Sequence, residues 1–376
     1  MFRKQKNVFI KKQKQSKLTL LDLVGFRISL AVVIASLLII LVSVVEQSQK
    51  KEVICSQLNW QCLSQQVLYI IGLSNIEGFS ILTAATLYIL ESWERKQRLI
   101  YEAWQVIDNA QVSFSTSYAR IQALEDLNKY KVSLENIKFP GGADLSNINL
   151  AYANLINTRL SQTNLNNANL SNANLSKANL KDANLYGADL SGATLSRVDL
   201  RGTDLRNTNL NNTNLAGALY NQETKFSQDY PLANKQMYLI ASNSNLKNAD
   251  LSNADLNSTK LQNSVLDQAN LKDADISFSQ LASSSLINAN LCGAKLIQAN
   301  LQDTNFTNAI LHHADFRNAN LDNADFSYAD FQNALFEKAS ITGTCFCKAT
   351  NLEPEKIKTA IGWEKAIYDD EFRKKL

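Results

Sequence analysis

The sequence predicts a mainly β solenoid of square cross-section, in which the chain turns a corner once every five residues. Every fifth residue from Leu145 to Leu215 is leucine, fifteen in succession, and the residue two positions earlier is nearly always Ala or Thr. An α-helix has about 3.6 residues per turn and a strand alternates its faces at every residue, so neither element buries a five-residue repeat on one side. Four pentapeptides that close one coil, with the coils stacked, bury every repeat.

The same register continues beyond this series. Two divergent repeats precede it, centred on Leu134 and Phe139, and a second series of twenty-one centres begins at Leu246. The sequence therefore predicts two repeat regions, 132–218 and 244–350. The structural core centres that we expect to be buried include Leu145, Leu170, Leu190, Leu215, Leu251, Leu271, Leu291, Phe306, Phe326 and Phe346.

Phenylalanine is concentrated at the later centres. Phe306, Phe326 and Phe346 are twenty residues apart, and so are Phe316 and Phe336. Because one coil is expected to take four pentapeptides, each set should stack in a single column. Asn or Asp stands just before most centres, as tight corners and hydrogen-bonded side-chain ladders require.

The N-terminal part of the chain has the pattern of a membrane anchor. Residues 1–27 carry a net charge of +7, and residues 28–45 contain no charged side chain. A second apolar run, 67–90, is interrupted by Asn75 and Glu77. About 20 apolar residues suffice for a membrane-spanning helix, and excess Lys and Arg marks the cytoplasmic side. The sequence thus predicts an integral protein of the plasma or thylakoid membrane, with both termini and the solenoid in the cytoplasm.

The predicted transmembrane hairpin, 28–90, leaves three questions open. Glu77 either marks an ion path or has a structural role, in which it lies near the membrane interface or pairs with Ser36. The structural role is favoured because two helices are too few to enclose an ion path. A cleaved signal peptide is the rival explanation of the first span, and no small-residue cleavage site follows that span. The connecting loop holds Cys55 and Cys62, where the oxidising side permits a disulfide without proving one.

Both ends of the solenoid are expected to be capped, because an uncovered terminal coil exposes its apolar interior. Residues 91–131 are predicted as a helical stalk followed by a short capping helix over 121–127. At the other end, residues 351–376 are predicted as a capping helix and tail, opened by Pro354. The apolar residues expected to face the last coil are Ile357, Ile361 and Trp363.

The chain contains the pentapeptides ADLSN, ANLSK, ANLKD and ADLSG, which resemble the A(D/N)LXX pattern of the pentapeptide-repeat family. The resemblance extends over about residues 132–350, and it implies a right-handed quadrilateral β-helix. The wider layout has two predicted spans, RIQALEDLNKY before the repeats and EPEKIKTAIGWEKA after them. This layout resembles membrane-anchored members common in cyanobacteria, most of which have no assigned biochemical activity.

The register breaks over residues 219–243. The centres resume 31 residues after Leu215, one more than a multiple of five, so we expect this insertion to loop out of the solenoid. Such a loop either carries a binding surface or packs its aromatic side chains back as an inert flap, and the two alternatives have equal weight. The candidate partner-binding residues are Tyr220, Phe226, Tyr230 and Tyr238.

No pattern of catalytic or metal-binding residues is recognised. His312 lies one coil from Cys292, which gives two candidate ligands where a structural zinc site needs about four. Cys345 and Cys347 flank Phe346, and a Cys-x-Cys pair alone is a weak signal, so we interpret these residues as surface positions without a ligand role. Neither a nucleophile elbow nor a phosphate-binding glycine loop occurs. We therefore expect no catalysis, no cofactor and no metal.

Three classes of function remain. The favoured class is a membrane-anchored scaffold that presents a rigid rod to an unidentified protein partner, with anionic lipid bound by the basic arm. The second, implied by related membrane proteins with such repeats, is an accessory role in lipid or glycolipid export. The third, implied by soluble family members, is DNA mimicry toward topoisomerase. Residues 141–350 hold 18 acidic and 15 basic side chains, too even a balance for mimicry, so no nucleic acid is expected as a partner.

Overall fold

The computed structural model forms two compact units, Met1–Asn109 and Ala110–Leu376, which are treated separately below. The basic arm, Cys55 and Cys62 lie outside the described part of the chain. The described residues are 28–38, 76–109, 117–228, 230–232 and 236–376.

The first unit contains a helical segment over 28–38 and the helix α1, Ile76–Asn109. Helix α1 is 34 residues long and continues without a break across the boundary predicted between the second span and the stalk. Ile100 and Ile107 are buried, whereas Trp93 is 66% exposed.

The prediction of an integral membrane protein is wrong for the part of the chain that the structure describes. No helix there combines the length and the apolar character that a membrane crossing requires. In α1, the uncharged stretch between Glu77 and Glu91 spans only residues 78–90, whereas a crossing needs about 20 apolar residues. Residues 39–75, which include the remainder of both predicted spans, lie outside the described residues, as does the Glu77 side chain.

The first element described in the second unit is the helix α2, Ser117–Lys129, which covers the first coil of the solenoid. Leu124 and Leu127 of this helix are fully buried. The Glu125 carboxylate accepts a hydrogen bond from the backbone N–H of Asn149 at 2.8 Å. The cap therefore satisfies a backbone donor of the open coil as well as covering its apolar interior.

The solenoid is a parallel β-helix whose coils take twenty residues. Bridges such as Asn149 with Asn169 recur on each face, and most consist of one residue per side. A face is too short for longer strands because a corner follows every centre. Lys138 pairs with Arg159, 21 positions on, because the chain has one additional residue at 140–142.

The corners combine a left-handed residue with a side-chain hydrogen bond. The residue two positions after most centres has a φ near 60°, and Asn is the commonest residue type there. Asn tolerates this conformation better than most side chains. The residue before the centre closes the turn, as when the Asn174 side-chain oxygen accepts from the Ser176 backbone N–H at 3.1 Å. The predicted ladder is present in the column where Asn184 donates to Asn164 at 3.1 Å and Asn164 donates to Asp144 at 2.9 Å.

The ten predicted core centres are 0–2% exposed. Phe326 stacks between Phe306, with ring centroids 4.6 Å apart, and Phe346, at 5.6 Å. Phe316 and Phe336 form the second stacked column at 5.4 Å. The predicted aromatic columns are therefore confirmed.

The predicted looped-out insertion is instead an irregular coil of the solenoid. Strand β1 (Asp204–Leu205) pairs in parallel with β3 (Lys225–Phe226), which lies 21 residues later. Strand β2 (Leu219–Tyr220) pairs in parallel with β4 (Tyr238–Leu239), which lies 19 residues later. The prediction of a loop assumed that every face of a coil takes five residues. In this coil one part is longer and another part is shorter than in a regular coil, so the chain stays in the stack.

The C-terminal cap is also less regular than a single helix. It consists of the short helix α3 (Pro354–Ile357), a 3₁₀ turn over Trp363–Lys365 and the helix α4 (Asp370–Arg373). Ile357 is buried as expected, but Ile361 is 60% exposed and pairs with Ser340 as an added bridge. The cap therefore adds a backbone bridge to the last coil as well as covering its apolar interior.

Candidate protein-interaction surface

Three of the four predicted partner-binding side chains form one aromatic group on the irregular coil. Tyr220 and Phe226 make an edge-to-face contact with centroids 5.9 Å apart, and Phe226 stacks on Tyr230 at 5.3 Å. All three are half-buried, and desolvation raises the pKa of the Tyr230 hydroxyl. We call Tyr220, Phe226 and Tyr230 the aromatic surface.

Tyr238 lies apart from this group. It packs against the hydrophobic core, and its hydroxyl accepts a hydrogen bond from the Asp250 backbone N–H at 3.4 Å. Its ring also lies beside Gly217, where a Cβ would stand 3.7 Å from the ring. The structure thus gives Tyr238 a packing role between the two repeat regions.

Hydrogen bonds to the coil below hold the aromatic surface in place. The Thr224 hydroxyl donates to the Leu200 carbonyl oxygen at 2.8 Å, and the Asn221 side-chain oxygen accepts from the Gly202 N–H at 2.9 Å. Ser227 accepts a hydrogen bond from the backbone N–H of Asn207 at 3.0 Å. The irregular coil is therefore anchored on both sides of Phe226.

A cleft of about 500 Å³ lies beside the irregular coil. One wall consists of side chains from successive coils of the first repeat region, among them Lys138, Arg159 and Lys177. The opposite wall is the segment 250–255, and Leu219 of the irregular coil also lines the cleft. The cleft is thus bounded by both repeat regions.

Arg197 joins the two walls. Its guanidinium donates to the Ser252 hydroxyl at 2.7 Å and to the Ser252 carbonyl oxygen at 2.9 Å, and it forms an ion pair with Asp250 at 3.1 Å. Desolvation opposes the charge of Asp250, but hydrogen bonds from Ser252 and the Arg197 charge hold its pKa below the ordinary value. Regular stacking joins residues twenty positions apart, so a contact over 55 positions means that the second repeat region packs against the first here.

Arg201 supplies a second, more deeply buried link. It forms an ion pair with Asp199 at 2.6 Å and donates to the backbone oxygen of Asp255. Burial works against the charge, but the hydrogen bond to Asp199 and its carboxylate charge leave the pKa of Arg201 raised. Arg201 therefore stays charged where it is buried against Asp199.

The cleft was not recognised in the sequence. A signal does exist, because Lys138 and Arg159 are bridge partners and Lys177 and Arg197 are twenty residues apart, so four basic side chains fall on neighbouring coils. The opposite wall has no comparable signal, since its approach depends on the irregular coil.

The histidine and cysteine residues that the sequence offered as candidate metal ligands do not form one site. The Nε2 atom of His312 lies 2.7 Å from a carboxylate oxygen of Asp330. Desolvation opposes the charge of Asp330, but hydrogen bonds from Asn351 and His312 hold its pKa below the ordinary value. Among the described residues, no three or more His, Cys, Asp and Glu side chains are grouped as a metal would require.

The cysteines of the last repeat, which the sequence assigned to the surface without a ligand role, are joined to each other. Cys345 and Cys347 form a disulfide that flanks the buried Phe346, because the centre between them points inward and leaves both thiols on the outside. Cys292 is a free, partly buried cysteine.

The Pentapeptide repeats family model matches the chain in eight copies, over residues 143–182, 183–219, 249–286, 284–323 and 314–350. The chain belongs to the pentapeptide-repeat family. The family match stops on both sides of the irregular coil, so the aromatic surface is largely an addition to the pentapeptide-repeat pattern.

Several solved pentapeptide-repeat structures are similar to this chain. HetL of the cyanobacterium Nostoc sp. strain PCC 7120, which is involved in heterocyst differentiation regulation, is 30% identical over 63% of this chain and 92% of its own, with a TM-score of 0.21. A second Nostoc pentapeptide repeat protein is 27% identical over 31% of this chain and 93% of its own, with a TM-score of 0.16. Full-length QnrB1, a plasmid-mediated fluoroquinolone resistance protein, is 15% identical over 65% and 97%, with a TM-score of 0.21. No curated protein matches the chain significantly.

Proposed function

We propose that this chain is a noncatalytic pentapeptide-repeat protein that binds a protein partner through the aromatic surface. The observation that carries the proposal is the contact group of Tyr220, Phe226 and Tyr230 on an irregular coil that is hydrogen-bonded to the coil below. The lipid-export and DNA-mimic alternatives have no observation in the described residues that favours them.

The physical argument is that aromatic side chains supply contact area at a low cost in conformational entropy. Tyr, Trp and Arg are the residue types that most often dominate binding energies at protein interfaces. The regular corners present mainly Asn, Asp, Ser and Lys to solvent, and these residues contribute less when an interface loses water. The partly exposed group of two tyrosines and a phenylalanine therefore differs from the rest of the solenoid surface.

The arrangement of titratable groups also favours binding over catalysis. Arg201 pairs with Asp199, and His312 lies against Asp330, so these groups stabilise the solenoid instead of facing a free reaction centre. The lowered pKa keeps Asp330 ionised at neutral pH, which makes it a poor general acid.

The proposal is tested by proximity labelling in native cells with the full chain and the variant Tyr230→Ser. Tyr230 lies at the end of the stack, so its truncation leaves the hydrogen bonds of Thr224 and Asn221 in place. We expect at least one partner to be lost, with labelling reduced about tenfold or more, as for a hot-spot residue.

The matched control is Tyr152→Ser. Tyr152 is 77% exposed on a regular coil, so its removal should leave the partner set unchanged. Circular dichroism establishes that both variants are folded. An identical partner set for Tyr230→Ser and the unmodified chain would contradict the proposal.

A further inference from the structure

The cleft beside the irregular coil carries an excess of unpaired positive charge. Lys138, Arg159 and Lys177 line it, are exposed, and make no ion pair or side-chain hydrogen bond among the described residues. Arg197 and Asp250 neutralise each other, and Asp199 is held by Arg201. The charges that remain for a ligand are therefore three cations against the single carboxylate of Asp255.

The cations lie along the axis of the solenoid. Lys138, Arg159 and Lys177 stand on three successive coils, and neighbouring parallel chains are about 4.8 Å apart. Three successive coils therefore distribute the positive charge over about 10 Å. An extended chain advances about 3.3 Å per residue, so this distance corresponds to three or four residues of a peptide.

The remaining lining is suited to a peptide backbone. Asn136, Asn157 and Asn179 also line the cleft, where Asn157 donates one amide N–H to the Asn136 side-chain oxygen at 2.8 Å, and Ser161 adds a hydroxyl. Amides and hydroxyls can both donate to and accept from main-chain groups. The volume of about 500 Å³ matches a short segment and is too small for a double-stranded nucleic acid.

We propose that this cleft binds an extended acidic segment of the protein partner, with its carboxylates against Lys138, Arg159 and Lys177. This inference rests on the proposed function and adds the chemistry of the bound segment. Because the cleft is also lined by Leu219, next to Tyr220, one partner can occupy the cleft and reach the irregular coil. The links made by Arg197 and Arg201 hold the opposite wall at a fixed distance, which preorganises the cleft.

The test uses the full chain and a fluorescein-labelled octapeptide of alternating aspartate and glycine, with binding measured by fluorescence anisotropy. The neutral probe replaces aspartate by asparagine. We expect the acidic peptide to bind, the neutral peptide to bind at least about tenfold more weakly, and the affinity to fall as salt is raised.

The decisive variant is the triple substitution Lys138→Gln, Arg159→Gln and Lys177→Gln. These side chains have no partner to lose, so the fold should be retained, and we expect the affinity for the acidic peptide to fall about tenfold or more. The charge-matched control replaces three exposed lysines of the second repeat region and should change the affinity less than about twofold. Its substitutions are Lys260→Gln, Lys272→Gln and Lys338→Gln.

A charge-reversal variant gives a second readout. The triple variant Lys138→Glu, Arg159→Glu and Lys177→Glu should instead bind an octapeptide of alternating lysine and glycine. Equal affinity of the triple glutamine variant and the unmodified chain for the acidic peptide overturns the inference. Tighter binding of an eight-residue oligothymidylate than of the acidic peptide overturns it as well. Neither result affects the proposed function, which depends on the separate Tyr230 comparison.

Discussion

The first repeat region and the last coils of the second have the same backbone but different cores. Both form bridges between residues twenty positions apart, and both turn their corners through left-handed residues. The centres from Leu145 to Leu215 are all leucine, whereas five of the nine centres from Phe306 to Phe346 are joined in two columns of stacked rings. The same coil backbone therefore accommodates an aliphatic core and an aromatic core.

The inward position two residues before each centre stays small in both regions. Alanine precedes four of the six phenylalanine centres there and threonine precedes Phe306 and Phe346, while both residue types also precede leucine in the first region. The threonine hydroxyl is satisfied internally, as when Thr163 donates to the Leu160 carbonyl oxygen at 2.6 Å. The backbone therefore holds leucine or phenylalanine at the centre with either small residue before it.

The largest expected effect is from truncating a stacked ring. Phe326→Ala removes a side chain that stacks on two neighbours, and we expect the free energy of unfolding to fall by about 4 kcal/mol. Leu170→Ala in the first region should cost about 3 kcal/mol, because only aliphatic contacts are lost. Urea denaturation of both variants measures the difference. A larger loss for Leu170→Ala would contradict the view that stacking adds stability to the last coils.

The same Asp-x-Arg spacing occurs in both regions with different burial. Arg201 is 4% exposed beside Asp199, whereas Arg317 is 47% exposed beside Asp315. We expect Arg201→Ala to cost about 3 kcal/mol, because it leaves a buried carboxylate without its partner. Arg317→Ala should be indistinguishable from the unmodified chain in the same denaturation experiment. Equal losses would mean that burial of the pair is not what decides its contribution.

Corner substitutions should stabilise the chain where a bulky side chain holds a left-handed conformation. Phe278 has a φ of 61°, and Asn318, in the same column two coils later, has a φ of 59°. Phe278 is also half exposed, so little packing is lost on its replacement. We expect Phe278→Asn to raise the free energy of unfolding by about 0.5–1 kcal/mol. The reverse change, Asn318→Phe, is the matched control and should lower it.

The smallest effect concerns acid sensitivity. Hydrogen bonds from Ser146 lower the pKa of Asp144 in the first region, and those from Asn351 and His312 outweigh desolvation to lower that of Asp330 in the second. A carboxyl group whose pKa is lower in the folded state stabilises the fold above its unfolded pKa, and this stability is lost as the pH falls. Unfolding curves should therefore shift to lower urea concentration below about pH 4, and less so in Asp144→Asn and Asp330→Asn.

The regular part of the fold could be predicted from the sequence because a five-residue period has one simple way to bury its leucines. The core centres and the phenylalanine columns follow from that period alone, since residues one coil apart must stack. The left-handed corners follow less directly. Asn at position 172 is suited to such a corner, but Tyr152 and Phe278 adopt the same conformation against their preference, because the neighbouring repeats impose it.

The candidate site could be predicted only in part. The sequence placed Tyr220, Phe226, Tyr230 and Tyr238 together in one insertion. It did not predict which of them are in contact or that they lie within a coil, because periodicity does not reveal how faces of unequal length compensate each other. Apolar runs near the N-terminus suggested membrane spans, yet the charges of Glu77 and Glu91 leave α1 too short an apolar stretch.

The sequence by itself therefore determined the repeat, the coil length and the side chains that fill the core, because these depend on contacts between residues a fixed distance apart. Tertiary structure alone decided that Arg197 reaches Ser252, that Arg201 is buried beside Asp199, and that Lys138 and Arg159 face a cleft. Those contacts depend on how the irregular coil directs the second repeat region against the first. No local sequence pattern predicts the direction in which the second repeat region leaves the irregular coil. That direction depends on several small changes in the number of residues per face around one coil.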